Sequence, residues 1–442
     1  MDTLERGASA PRTSAGSRAD TTRLPDRCPR VLPWNAGFCH RPAVFARGAA
    51  VSSGVPGPSK RRCWAVTAPG LEKVTAGELT ALGIPPGEME PGGVAFAATD
   101  EEIFTANLWL RTASRVIVRI AEFKVTAFHE LERAARGVPW DSFLQAGDTI
   151  RLRVTCKKSK LYHSDAVAER VEQSITKAVK GVVVAGSGGA VADDDDADEN
   201  DAQLFVVRLL HNVCTISVDS SGVLLHRRGY RLATAKAPIR ETLAAGILLA
   251  LGWDGTTPLI DPMCGSGTIS IEAAMIARRM APGQHRAFSC ERWPGAPIGH
   301  FATLRAQALL KALPFAHVPL VASDRDAGAI TAAAANAERA GVTADIRLHH
   351  RAISALEAPA GPGLVLVNPP YGARIGEAAP LRNLYAQLGN VMRAKCAGWS
   401  IAMCSAERSL EAQVKLPFRD VLRIRNGGIP VRIVCAQIPT RE

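Results

Sequence analysis

The sequence predicts an α/β protein in two parts: a doubly wound parallel sheet over residues 233–438, preceded by a smaller α+β module. Three observations carry this reading. Strand-like and helix-like runs alternate beyond Pro238, and a glycine-rich turn follows the first of those strands. Short alternating strands with helices between them fill residues 63–219.

Taken in order, residues 1–62 hold eleven Lys/Arg against four Asp/Glu, with no sustained apolar periodicity and no apolar run of the secretory kind. That composition predicts a disordered segment of the transit-peptide type, addressed to a chloroplast or mitochondrion. Order is expected from Cys63. Cys63–Ala68 reads as a strand, 70–82 as a helix, Val94–Ala97 as a strand, 100–110 as a helix and Arg115–Glu122 as a half-buried strand. A second unit, 121–219, has an amphipathic stretch at 140–144, a strand at Thr149–Thr155, a helix at 164–180 and a hairpin of Leu204–Leu210 with Val213–Asp219. Between them, 181–201 is rich in glycine and aspartate and reads as a surface loop. In the second part, helices are expected at 239–251, 268–280, 327–340 and 380–395. Strands are expected at 259–260, 320–322, 344–348, 364–367 and 399–404, with an antiparallel pair at 421–425 and 431–438.

The net charge of +11 includes an acidic run, Asp193–Asp201, of seven acids and no base. A basic body with one acidic insertion suits a polyanionic partner such as nucleic acid. No apolar run approaches the roughly 20 residues that cross a bilayer, so no membrane partner is expected. Ten scattered cysteines, with no Cys-x-x-Cys pair, fit free thiols better than a disulfide framework or a metal site.

Three motifs carry chemistry. The first is Asp261, Pro262, Met263, Cys264, Gly265, Ser266, Gly267 and Thr268, between an apolar strand and a helix. A dinucleotide fingerprint would need a small residue where Ser270 stands, and a P-loop would need a lysine after Gly267. What remains is an acid at a strand end followed by Gly-x-Gly, which suits a cationic nucleoside bearing an amino acid. The second is Asp324, at the end of the next strand, placed to accept ribose hydroxyls, with Asp326 capping the following helix. The third is Asn368, Pro369, Pro370 and Tyr371, followed by Gly372, directly after Leu364–Val367. Two convergent carbonyl acceptors can hold both hydrogens of an exocyclic amine, and Tyr371 offers a face for a flipped base.

With these residues in place, the chain resembles the class I amino-methyltransferases. From Cys63 onward it is similar to the THUMP-containing RNA methylases, particularly the bacterial large-subunit ribosomal RNA guanine-N2 methyltransferases. Supporting stretches include 107–115, 160–164, 225–231, 236–245 and 425–428. The resemblance implies a ferredoxin-like unit at 63–120, a THUMP fold at 121–219 and a Rossmann-like catalytic domain at 233–438. It implies S-adenosyl-L-methionine as cofactor, ribosomal RNA as partner, and Lys157, Lys158, Lys160, Tyr162 and His163 as RNA contacts. One departure is Arg351-Ala352, where the family usually places an acid for the adenine amine. The same parts serve a transfer RNA guanine-N2 enzyme, an adenine-N6 enzyme or a protein glutamine methylase, and a non-catalytic RNA-binding protein could retain the fold.

Overall fold

The computed structural model describes residues 59–185, 202–232, 239–371 and 378–440. The acidic run, Gly372 and nearly all of residues 1–62 lie outside them. Among the described residues, no helix is long and apolar enough to cross a membrane.

The first part runs β1 (Arg61–Thr67), α1 (Glu72–Ala81), β2 (Pro86–Glu90), β3 (Gly93–Ala98), α2 (Asp100–Trp109) and β4 (Ala113–Lys124). It continues α3 (Phe128–Ala135), β5 (Thr149–Lys157), α4 (Ser164–Ala178), β6 (Val183–Val184), β7 (Gln203–Leu210) and β8 (Val213–Asp219). Alternation decides the faces: Cys63, Ala65 and Thr67 of β1 point into the core while Arg62 faces solvent. α2 starts where Thr99 and Glu102 form a capping box, each side chain accepting from the other's amide. The β7–β8 hairpin turns at His211 and Asn212, with φ of 51° and 64°, the left-handed pair of a two-residue turn.

These strands make one sheet, in the order β2-β3-β1-β4-β8-β7-β5-β6. The two units expected from the sequence are therefore edge to edge. β4 spans the boundary at residue 120 and pairs with β1 on one side and β8 on the other. The sequence reading also missed β2, a mostly exposed strand with no apolar alternation, and α3.

The second part runs α5 (Glu241–Ala250), β9 (Leu259–Asp261), α6 (Thr268–Ala277), α7 (Ile298–Lys311), β10 (Leu320–Asp324), α8 (Ala327–Arg339), β11 (Ile346–His350) and β12 (Leu364–Val367). It ends with α9 (Ala378–Lys395), β13 (Ser400–Ser405), α10 (Arg408–Gln413), β14 (Arg419–Asn426) and β15 (Ile429–Gln437). The strand order is β11-β10-β9-β12-β13-β15-β14, with parallel pairing except for β15, which runs antiparallel to both neighbours. The chain passes from β9 outward to β11, then returns to β12 on the other side of β9. That reversal is the topological switch point, where ligands bind in open α/β sheets.

The segment between α6 and β10 packs on the other part of the protein. Phe301 of α7 stacks on Phe104 of α2 at 4.4 Å, and Trp293 meets Phe143 edge-on and donates to Gln203 at 2.9 Å. Nearby, Arg111 donates to the Met280 carbonyl at 2.6 Å and Arg228 donates to the Arg111 carbonyl at 2.6 Å. Arg228 also lies 3.5 Å from Glu272 of α6, and Arg111, Arg228, Glu272 and Tyr230 are all buried. α5 also approaches the start of α1 closely at Gly246, where a Cβ would meet the Leu71 side chain at 2.7 Å.

Candidate active site

β9 ends at Asp261 because the chain must turn sharply into α6. Gly265 and Gly267 supply the left-handed backbone, with φ of 52° and 83°. A Cβ on Gly267 would press on the Ala333 methyl of α8 at 3.0 Å. The loop is latched from three directions. Gly265 N–H donates to Asp324 at 2.9 Å, Cys264 N–H donates to the Ser323 carbonyl at 3.0 Å, and Asn336 of α8 donates to the Ser266 carbonyl at 3.0 Å. Pro262, Ser266 and Thr268 are buried, Thr268 as the first residue of α6, while Met263 is half-buried.

Asp261 is fully buried. One oxygen accepts from Ser270 Oγ at 3.1 Å, and the other, Oδ1, has no hydrogen-bond partner among the described residues. Burial pushes its carboxyl up to about 7, against the lowering effects of the Ser270 hydroxyl and the Met263 backbone amide. A buried carboxylate oxygen left unpaired is expensive, and a cationic amine is the partner that would relieve it. Asp324 has its two oxygens on the amides of Gly265 and Asp326, at 2.9 and 3.0 Å. Asp326 is the N-cap of α8, accepting from Gly328 N–H at 2.8 Å.

β12 and β9 are adjacent and parallel, so Asn368 leaves the same edge of the sheet as Asp261, two residues beyond the position level with it. Asn368 Oδ1 is a second buried acceptor without a partner among the described residues at this end of the sheet. Pro369 is buried, and its carbonyl accepts no hydrogen bond from the described residues. The Pro370 carbonyl is taken: Tyr385 of α9 donates to it at 3.3 Å. Among the described residues, the Asn368 side-chain carbonyl and the Pro369 carbonyl are thus without a donor. Tyr371 is half-buried, and its hydroxyl accepts from Asn426 of β14 at 2.7 Å. Tyr385 and Asn426 had no role in the sequence reading, although 425–428 stood among its matching stretches.

A cavity of about 440 Å³ lies elsewhere, between Arg278, Leu313, Glu338 and Gly341 at the carboxyl ends of α6 and α8. No motif residue lines it, and the strand ends with their unpaired acceptors are the better candidate.

The five expected RNA contacts form one surface loop on the eight-stranded sheet. Lys157 ends β5, Lys158 has φ of 49°, and His163 precedes α4. The loop is tied to the β7–β8 turn, with Lys160 N–H donating to Asn212 at 2.7 Å and Ser159 accepting from Asn212 N–H at 3.0 Å. All three lysines are exposed, and Tyr162, 69% exposed, leans on His163 at 4.1 Å.

Strand order, glycine loop, acid-tipped strands and the Asn-Pro-Pro-Tyr turn together define an S-adenosylmethionine-dependent class I methyltransferase. Residues 228–431 match the RMKL-like methyltransferase domain, 62–117 the RlmL ferredoxin-like domain and 125–219 the THUMP domain, and the chain belongs to this RMKL-like methyltransferase family. It is 32% identical over 376 residues to Putative RNA methyltransferase slr0064 of Synechocystis, covering 85% of this chain and 96% of that one. It is 35% identical over 393 residues to the ribosomal RNA large subunit methyltransferase K/L of Syntrophotalea carbinolica, covering 83% of this chain but only 52% of that protein. The chain thus spans about half the length of its K/L relatives. Among solved structures, SMU.472, a putative methyltransferase complexed with SAH, superposes with a TM-score of 0.74 at 26% identity, over 87% of this chain and 99% of that one.

Proposed function

We propose that this chain transfers a methyl group from S-adenosylmethionine to the exocyclic N2 amine of a guanine in large-subunit ribosomal RNA. The observation that carries it is the pair of buried, unpartnered acceptors, Asp261 Oδ1 and Asn368 Oδ1, on adjacent parallel strand ends. One suits a cationic amine of the cofactor and the other an amine of the substrate, both at one edge of the sheet. The bound cofactor supplies an already activated sulfonium methyl, so the protein's task is orientation more than acid–base work. Asn368 Oδ1 and the Pro369 carbonyl hold the two amine hydrogens and aim the nitrogen lone pair. Tyr371 stacks on the extruded base. Asp324 accepts from the ribose hydroxyls, and the loop from Lys157 to His163 grips the phosphate backbone and an unpaired base. The THUMP match and the names of the relatives support RNA as the substrate, and the K/L relatives support its ribosomal class.

The test is to incubate protein starting near residue 60 with radiolabelled cofactor and separate pools of unmodified ribosomal and transfer RNA, then identify the labelled nucleoside. N2-methylguanosine from large-subunit RNA is the expected product. N6-methyladenosine, or label confined to transfer RNA, would replace the guanine or ribosomal part of the reading. The segment before β1 is, in the same reading, an organelle address, to be checked by the location of a fluorescent protein carrying residues 1–62.

A further inference from the structure

The Tyr371 side chain makes one hydrogen bond among the described residues, and it comes from 55 positions further along the chain. Asn426 is the last residue of β14. After it, Gly427 and Gly428, with φ of 55° and 80°, reverse the chain in two residues and pair Asn426 with Ile429. This tight hairpin carries Asn426 to the carboxyl end of the sheet, where it is 9% exposed and its Nδ2 lies 2.7 Å from Tyr371 Oη. The tyrosine ring packs partly against the core of the catalytic domain, and the residue just before it, Pro370, is held by Tyr385.

We propose that Asn426 is a positioning residue for methyl transfer, pinning the Tyr371 hydroxyl so that the ring presents a fixed face to the target base beside Asn368. The proposal rests on the methyltransferase reading above. A tyrosine hydroxyl lies on the axis about which the ring flips, so a bond to it leaves flipping free and resists only the swing of the whole ring about χ1. That swing is the motion that moves a stacking surface. A displacement of about 1 Å at a base held for in-line attack is enough to lower a rate by up to roughly 10²-fold. The geometry also assigns direction. The Asn426 amide nitrogen donates, so the phenol oxygen accepts and keeps its own proton for another acceptor. No backbone constraint requires asparagine here: the two glycines make the turn, and an alanine at 426 would pair with Ile429 equally well.

Two measurements test this. The chain has four tyrosines, so protein labelled with ¹³C at tyrosine Cζ gives four signals, with that of Tyr371 assigned by its loss in Tyr371→Phe. Asn426→Ala should move that signal and leave the other three in place; an unmoved signal means the bond does not exist in solution and overturns the proposal. In kinetics, Asn426→Ala and Tyr371→Phe should each lower kcat for RNA roughly tenfold, with cofactor Kd and Tm unchanged. The double variant should fall no further than either single one, and Asn426→Asp, which can accept the Tyr371 proton, should recover to within about threefold of the parent. Additive losses, or a loss that follows Kd or Tm, would reduce Asn426 to a structural role. A parent protein that binds cofactor yet methylates no RNA would sink the methyltransferase reading instead, with the NMR signal still deciding whether the lock is real.

Discussion

The two loops that make the site are supported in different ways. The loop after β9 is held by its own neighbourhood: Asp324 latches Gly265, Asn336 holds the Ser266 carbonyl, and Ser270 satisfies one oxygen of Asp261. All of these lie within one β-α-β unit and its next helix. The loop after β12 is held by Tyr385 of α9, the helix that follows it, and by Asn426 at the far end of β14, three strands away across the sheet. A loop with remote supports exists only once the whole sheet has closed, so its geometry reports the integrity of the entire domain. The cofactor side should therefore tolerate damage to β14 that the substrate side does not.

The sharpest way to separate the two is to disable each in turn. Asn368→Ala removes the side-chain acceptor and should lower kcat on the order of 10³-fold while leaving cofactor Kd within a factor of about two, as calorimetry would show. Loss of cofactor binding in that variant would mean the loops are one unit after all. Asp261→Asn should do the reverse, weakening cofactor affinity roughly 10–100-fold with little change in RNA affinity. A smaller effect of the same carboxylate is its pH dependence. The folded apo protein holds the Asp261 proton up to about 7, well above its unfolded range, so this group favours folding at low pH and loses that contribution as pH rises to about 7. A cationic ligand needs the ionised form, so cofactor affinity should climb about tenfold per unit as pH approaches 7, then level off. A flat profile between pH 6 and 8 would remove Asp261 from the amine-binding role. The smallest effect is expected from Tyr385→Phe, which deletes one neutral hydrogen bond of about 1 kcal/mol, a severalfold loss in kcat for RNA and none in cofactor Kd.

The contrast between the loops also marks how much could be read in advance. The strands bearing Asp261, Asp324 and Asn368 were legible because parallel strands buried on both faces are continuous apolar runs, and each ends in a residue whose chemistry is unusual at that place. Asp326 could be assigned as a cap from its position alone, and it caps α8. Asn426 could not, because nothing in Arg425-Asn426-Gly427-Gly428 beyond a two-residue turn says which side chain lies opposite. α7 was missed for a related reason. Phe301 is buried against α2 while Leu309 and Leu310 face solvent, so its apolar residues do not form the single stripe that marks a surface helix. β2, with one half-buried residue and four exposed ones, had no pattern to find.

That misplaced helix has a consequence for how such a protein can be taken apart. Phe288, Trp293 and Phe301 are encoded within the catalytic half yet buried in the core of the N-terminal half, and β4 is shared along one sheet by the two N-terminal units. Cutting the chain at any of the apparent joints would strip aromatic surface from one fragment and leave a matching hole in the other. The enzyme and its grip on the substrate are therefore not exchangeable parts. A recombination event could borrow neither alone, and a new specificity has to be reached by point substitution at the exposed loop ends.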